Sequence, residues 1–171
     1  VDEGVLEGFE VEAVVGFDEP RPDHSPSALN PDQAASAKAM GQAAIEGGFA
    51  PFLLDGITGS GKTETYLEAA ADLLKAKPDA QVLILLPEIA LTQALIERIT
   101  QRFGAAPAEW HSGVTPLRRR QVWEAVRAGR CNIVVGARSA LFLPYTNLSL
   151  IVVDEEHDGS YKQEEGLVYH G

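Results

Sequence analysis

A chain of 171 residues with 45% hydrophobic content can bury one sizeable core and little beside it. Its formal charge of −11 argues against a general nucleic-acid coat, because phosphate is held mostly by Lys and Arg. Cys131 is the only cysteine, which excludes an internal disulfide and a cysteine-based zinc site within the chain, and there is no long apolar run or export leader, so a soluble, cytoplasmic protein with no membrane partner is expected. The charge is uneven. Residues 1–36 hold nine Asp or Glu against Arg21 alone, whereas residues 98–138 hold eight arginines against Glu109 and Glu124. Such a basic segment reads either as a nucleic-acid face or as a solvated helix surface.

In chain order, residues 5–17 alternate apolar and acidic side chains, as a strand or hairpin exposed on one face does. Residues 18–28, punctuated by Pro20, Pro22 and Pro26, are expected as an extended linker, so 1–28 is assigned to the tail of a preceding unit and 29–171 to the main domain. A helix is expected to begin after Asn30, which suits an N-cap, with Pro31 at its first position and Gln33 placed for a capping box; Gly47 and Gly48 end it. Four apolar runs, at 51–55, 82–86, 132–136 and 150–154, have the composition of fully buried strands. Helical spacing fills the gaps at 62–77, at 89–103 with Gly104 as its cap, and at 116–128. This alternation predicts an α/β fold, a mostly parallel sheet flanked by helices on both faces, with ligands at the carboxyl ends of the strands.

Gly-Ile-Thr-Gly-Ser-Gly-Lys-Thr (56–63) satisfies the GxxxxGK[ST] phosphate-loop pattern, directly after an apolar run and directly before a helical stretch. The glycines allow backbone N–H groups to face phosphate oxygens, Lys62 reaches the outer phosphates, and Thr63 offers a hydroxyl to Mg2+. A second element, Asp-Glu-Glu-His (154–157), ends the apolar run 150–154 in three carboxylates, which burial alone does not explain. The functional reading has Asp154 holding Mg2+ through water and Glu155 orienting the attacking water on a nucleoside triphosphate.

Asp-Glu-Glu-His resembles the DExH signature of superfamily 2 helicases. Further stretches resemble, in the same order, the motifs of the PriA (primosomal protein N′) family: Leu-Leu-Pro-Glu-Ile-Ala-Leu-Thr, Trp-His-Ser-Gly, Gly-Ala-Arg-Ser-Ala-Leu-Phe-Leu-Pro and Val-Asp-Glu-Glu-His-Asp-Gly-Ser-Tyr-Lys-Gln-Glu. The resemblance covers most of residues 29–170. It implies the first RecA-like P-loop NTPase lobe of an ATP- and Mg2+-dependent 3′ to 5′ DNA helicase, acting in replication restart and primosome assembly. It further implies nucleotide contacts at Gln33, Thr58, Gly59, Ser60, Gly61, Lys62, Thr63 and Glu64. DNA contact or coupling is implied at Thr92, His111, Ser112, Arg138, Ser139, His157, Tyr161, Lys162, Gln163 and Tyr169. Plainer readings of some of these residues stand alongside: a capping glutamine for Gln33, loop caps for Thr92 and Ser112, a merely hydrogen-bonded His157, and tyrosines 161 and 169 packed on the lobe's own surface.

Partners implied for the whole family member are forked or single-stranded DNA, single-stranded DNA-binding protein and primosome proteins. The same resemblance makes residues 1–28 the end of a winged-helix module with its linker. The family pattern continues past Gly171 with an Arg-Asp pair, a second lobe and a zinc module. Since the arginine that stabilises the transition state belongs to that second lobe, the chain alone is expected to bind nucleotide weakly and turn it over negligibly. Two rival readings are another superfamily 2 translocase of restriction or repair, and a nucleotide-binding or interaction module without catalysis.

Overall fold

A computed structural model of the chain describes residues 16–57, 59–87 and 93–161. Helix α1, Pro31–Glu46, starts with a complete capping box: Gln33 N donates to Asn30 Oδ1 (2.9 Å) and Asn30 N to Gln33 Oε1 (2.8 Å). It ends at Gly47, whose φ of 81° suits glycine. Helix α2, Lys62–Ala76, buries Leu67, Ala70, Leu73 and Leu74. There follow β1 (Gln81–Leu85), α3 (Gln93–Phe103), β2 (Ala108–Trp110), α4 (Pro116–Arg127) and β3 (Ile133–Gly136). A 3-10 turn (Arg138–Phe142), β4 (Leu148–Val153) and a second 3-10 turn (Gly159–Tyr161) complete the described chain.

The four described strands lie in the order β2-β3-β1-β4, and every pairing is parallel. Strand residues alternate between two cores. Val82, Ile84 and Val135 face α2 and α3 through Leu67, Leu73, Ile99 and Phe103. Leu83, Leu85 and Val134 face α4 through Val122 and Val126. Helices therefore cover both faces, which is why β1 and β3 are apolar at nearly every position. Gln81 is the exception, with no exposed surface: its side chain donates to Val126 O and Cys131 O and accepts from Thr146 N and Asn147 N, tying the starts of β1, β3 and β4 together.

One expectation is corrected and two features are added. The run 51–55 is not a strand: Phe52 and Leu53 are exposed, and the segment stands across a cavity from β4. Its composition is that of a central strand, and beside β4 it would be an outer one; among the described residues none pairs along its far edge. Second, β2 is too short, at three residues, to leave an apolar run in the sequence. Third, the segment expected as an extended linker makes hydrogen bonds to the lobe. Arg21 N donates to Phe103 O (2.8 Å), Pro22 O accepts from Arg102 Nη1 (2.8 Å), and Ser27 N donates to Glu68 Oε1 (2.7 Å). Almost all of the strand expected over 5–17, with the winged-helix assignment, lies outside the described residues, as does the start of the helix expected over 89–103.

Candidate functional site

The phosphate loop leads into α2 through two left-handed glycines, Gly59 and Gly61, each at φ 79°. The φ of Gly61 favours glycine, and a Cβ there would also push the end of the Gln33 side chain aside. Gln33 reaches the loop from α1, donating through Nε2 to Ser60 O (2.8 Å) while its Oε1 caps Asn30. Capping and loop contact are thus two ends of one side chain. Lys62 arches back over the loop, its Nζ donating to Gly56 O (2.5 Å) and Ile57 O (3.4 Å). The Glu64 carboxylate lies between the loop, where a Cβ on Gly61 would meet its Oε2 at 3.7 Å, and Arg98 of α3 at 3.4 Å.

Opposite stands the end of β4. The Asp154 amide extends the β1–β4 ladder by donating to Leu85 O (2.9 Å), which fixes the backbone at the sheet's carboxyl rim. The next residue, Glu155, has φ 51°, a left-handed conformation that a non-glycine residue adopts at a cost of about 1 kcal/mol or more. Glu155 N donates to Asp154 Oδ1 (3.0 Å), and Asp158 N donates to Glu155 O (2.9 Å), so the kink is locked from both sides. Its carboxylate lies 3.5 Å from the exposed His157 Nε2.

Lys62, Asp154, Glu155 and His157 line one cavity of about 1060 Å³. The closest link across it is Tyr66, a residue the sequence reading passed over. Its hydroxyl donates to Asp154 Oδ2 (3.1 Å). Burial first, and the Asp154 charge second, push the Tyr66 phenol well above its usual range, so it stays protonated. Among the described residues no three His, Cys, Asp or Glu side chains gather around a common point. Mg2+ suits such a sparse donor set, since it commonly takes one or two protein ligands and completes its shell with water and phosphate.

The other candidates sit further along the same rim. His111 and Ser112 follow β2, and Arg138 and Ser139 follow β3, with Arg138 and Ser139 exposed. His111 Nδ1 accepts from Gly113 N (3.2 Å), and its carbonyl accepts from Arg119 Nη2 (2.7 Å). Arg138 Nη1 donates to Tyr161 O (3.2 Å). The Tyr161 ring packs on the α4 side of the core while its hydroxyl donates to Asp154 O (2.8 Å). Thr58, Thr92, Lys162, Gln163 and Tyr169 lie outside the described residues. Several arginines of 98–138 have partners within the lobe: Arg102 is buried against Glu68, Arg118 lies over Phe17, Arg120 pairs with Glu124, and Arg127 lies over Trp123. Among the described residues no helix is long and apolar enough to cross a membrane.

A phosphate loop and an acidic strand end, converging at the carboxyl rim of a parallel sheet, define a P-loop NTPase lobe. Residues 30–169 match the DEAD/DEAH box helicase family model, and the chain belongs to that family, whose domains use nucleotide and Mg2+ and adopt the RecA-like α/β fold. Within it, the chain is similar to replication restart protein PriA. It is 50% identical to the Rickettsia felis protein over 121 residues (70% of this chain, 18% of that protein). It is 46% identical to the Haemophilus influenzae protein over 142 residues (83% and 19%), and 46% identical to the Bacillus subtilis protein over 119 residues (70% and 14%). The chain thus spans less than a fifth of the length of these relatives.

Proposed function

We propose that the chain is the nucleotide-binding lobe of an ATP-dependent 3′ to 5′ DNA helicase acting in replication restart. The observation that carries this reading is the convergence of Lys62 from the phosphate loop with Asp154 and Glu155 from the end of β4 on one cavity. The loop amides from 59 to 63 and Lys62 receive the phosphates, because a phosphate oxygen is a stronger partner for the ammonium than the two carbonyls it now holds. Thr63 and Asp154 hold Mg2+, which supplies charge neutralisation on the phosphates when bound. Glu155, aimed into the cavity by its left-handed backbone, orients the attacking water. Gln33 is the adenine-side contact, and Glu64 supports the loop from α2. DNA is proposed to run along the rim past His111, Ser112, Arg138 and Ser139, with His157 and Tyr161 between that path and the nucleotide. Thr92, Lys162, Gln163 and Tyr169 extend the same proposal. Single-stranded DNA-binding protein and primosome proteins are the proposed partners of the longer protein.

Titration of the 171-residue chain with a fluorescent ATP analogue and Mg2+ tests the nucleotide reading. Saturable binding that Lys62→Ala weakens at least tenfold is expected; equal binding by the two chains overturns it. For the rim, single-stranded DNA binding should weaken with salt and with Arg138→Ala, and indifference to both would sink that part.

A further inference from the structure

We infer that Arg119 is a positioning residue of the DNA rim: its guanidinium holds the turn at 111–114 so that His111 and Ser112 stand beside Arg138 and Ser139. The inference rests on the DNA path proposed above and adds to it a residue that does not itself touch DNA. The sheet brings the two loops together. Trp110 and Gly136 are register partners at the ends of β2 and β3, and Ala137 N donates to Trp110 O (3.0 Å). Gly136 permits this approach, since a Cβ there would collide with the Trp110 carbonyl. The β3 side runs directly into the 3-10 turn that begins at Arg138. The β2 side instead enters a loop with Ser112 and Gly113 exposed, closed by Val114 N on His111 O at 3.2 Å before Thr115 caps α4. Arg119 reaches back from α4 to the same carbonyl, donating through Nη2 at 2.7 Å. A carbonyl oxygen has two lone pairs and accepts both bonds, and the shorter, charge-assisted one is the stronger restraint.

Arg119 is the middle of three consecutive arginines, and its neighbours go elsewhere. Successive helix positions point about 100° apart, so such a run cannot share one face. Arg118 lies over the Phe17 ring, 4.4 Å from its centroid, and Arg120 pairs with Glu124 at 3.0 Å. Arg119 turns to β2: its guanidinium carbon is 5.6 Å from the centroid of the Trp110 ring, and its Nε is buried with no hydrogen-bond partner among the described residues. A buried donor left unpaired is unfavourable, so the Trp110 ring and the His111 carbonyl together impose this placement. A planar fork can stack on a ring and bond a carbonyl at once, whereas a lysine ammonium carries the charge without the fork.

The test is binding of a fluorescein-labelled single-stranded oligo-dT, over a range of salt, by the 171-residue chain and by Arg119→Lys. Affinity should fall about fivefold, an ordinary coupling between contacting residues, with affinity for fluorescent ADP within twofold of wild type. That loss should vanish in a His111→Ala, Ser112→Ala background, where the contacts being positioned are already gone. Arg119→Gln removes the charge as well and should show the same loss with an unchanged slope of log affinity against log salt; a slope smaller by about 0.7 identifies a direct phosphate contact and overturns the positioning role. DNA binding within twofold of wild type in Arg119→Lys, the same loss persisting in the His111→Ala, Ser112→Ala background, or ADP binding abolished in both Arg119 variants also overturns it. Wild-type chain that does not bind oligo-dT, or binding untouched by His111→Ala with Ser112→Ala, overturns this part of the rim as well and leaves the nucleotide site standing.

Discussion

Replacing Glu68 with Ala should be among the most damaging single changes on the lobe's surface layer. Glu68 on α2 accepts two bonds from Arg102 on α3, at 2.6 Å from Nε and 2.9 Å from Nη2, and a third from Ser27 N at 2.7 Å. Arg102 is 4% exposed, so deleting the carboxylate leaves a buried guanidinium with the Pro22 carbonyl and the Phe103 ring as its remaining partners. Removing one member of a buried pair costs about 3–5 kcal/mol. Glu68 keeps 16% of its side chain open to water, which argues for the lower end, about 3 kcal/mol. Against a total stability of roughly 5–15 kcal/mol, that is a large fraction.

Urea denaturation followed by Trp110 and Trp123 fluorescence should show the midpoint fall by about 1.5 M, taking a slope of about 2 kcal/mol per M. The double variant Glu68→Leu with Arg102→Met should recover most of the loss, because it leaves no charge unpaired. The pH dependence has a definite sign. Burial alone would raise the Glu68 pKa, but the bonds from Arg102 and Ser27 outweigh it and hold the carboxyl below its ordinary value of 4.5. A carboxyl depressed in the folded state contributes stability above the unfolded pKa and loses it as pH falls through the folded one. The wild-type advantage over Glu68→Ala should therefore be full at pH 7 and shrink below pH 4.5. A cost under about 1 kcal/mol, or a gap that stays constant from pH 7 to pH 3, would refute the reasoning.

Gln81→Leu should lower the thermal midpoint by about 10 °C or more, since it takes the Gln81 partner from the Thr146 and Asn147 amides and the Cys131 carbonyl, at about 1–3 kcal/mol for each group fully desolvated, while the Val126 carbonyl keeps Gly129 N; calorimetry showing a change of a few degrees would mean water replaces those bonds. The Cys131 thiol, 2% exposed and pushed up to about 12 by burial, should label with a disulfide reagent at pH 8 only as fast as the chain unfolds. Labelling of the native chain at the rate of a free thiol would contradict its burial.

What was legible in the sequence depended on whether local chemistry and tertiary packing pulled the same way. Asn30, Pro31 and Gln33 specify a helix start from backbone hydrogen bonding alone, and α1 begins there. The runs 82–86 and 132–136 are strands within a residue, because both are enclosed between helix layers and nothing competes. The run 51–55 looks the same on paper, but strand formation is a property of neighbours, and no local signal says whether a neighbour is there. Tyr66 was invisible for another reason. Its place four residues after Lys62 announces a buried helical face, yet the partner of its hydroxyl lies 88 residues away on β4. Arg102 misled in the opposite direction: a basic residue in a basic segment reads as surface, and only the fold pairs it with Glu68.

The corrected strand changes how the proposed site is assembled. Had 51–55 joined the sheet beside β4, hydrogen-bond register would set the distance between the phosphate loop and Asp154. Here α2 carries that task. Its N-terminal turn presents Lys62 and Thr63, its next residues reach Asp154 through Tyr66, and one turn further Glu68 anchors it to α3 and to residues 22–27. Tyr66 and Glu68 are two positions apart, so they leave the helix on different sides. One restrains rotation toward the sheet and the other restrains sliding across α3. The segment expected as an extended linker is part of what fixes the loop, since Ser27 and Pro22 close the Glu68–Arg102 pair from outside. Loosening residues 18–28 should then disturb the nucleotide side of the lobe before it disturbs the β2 end of the rim.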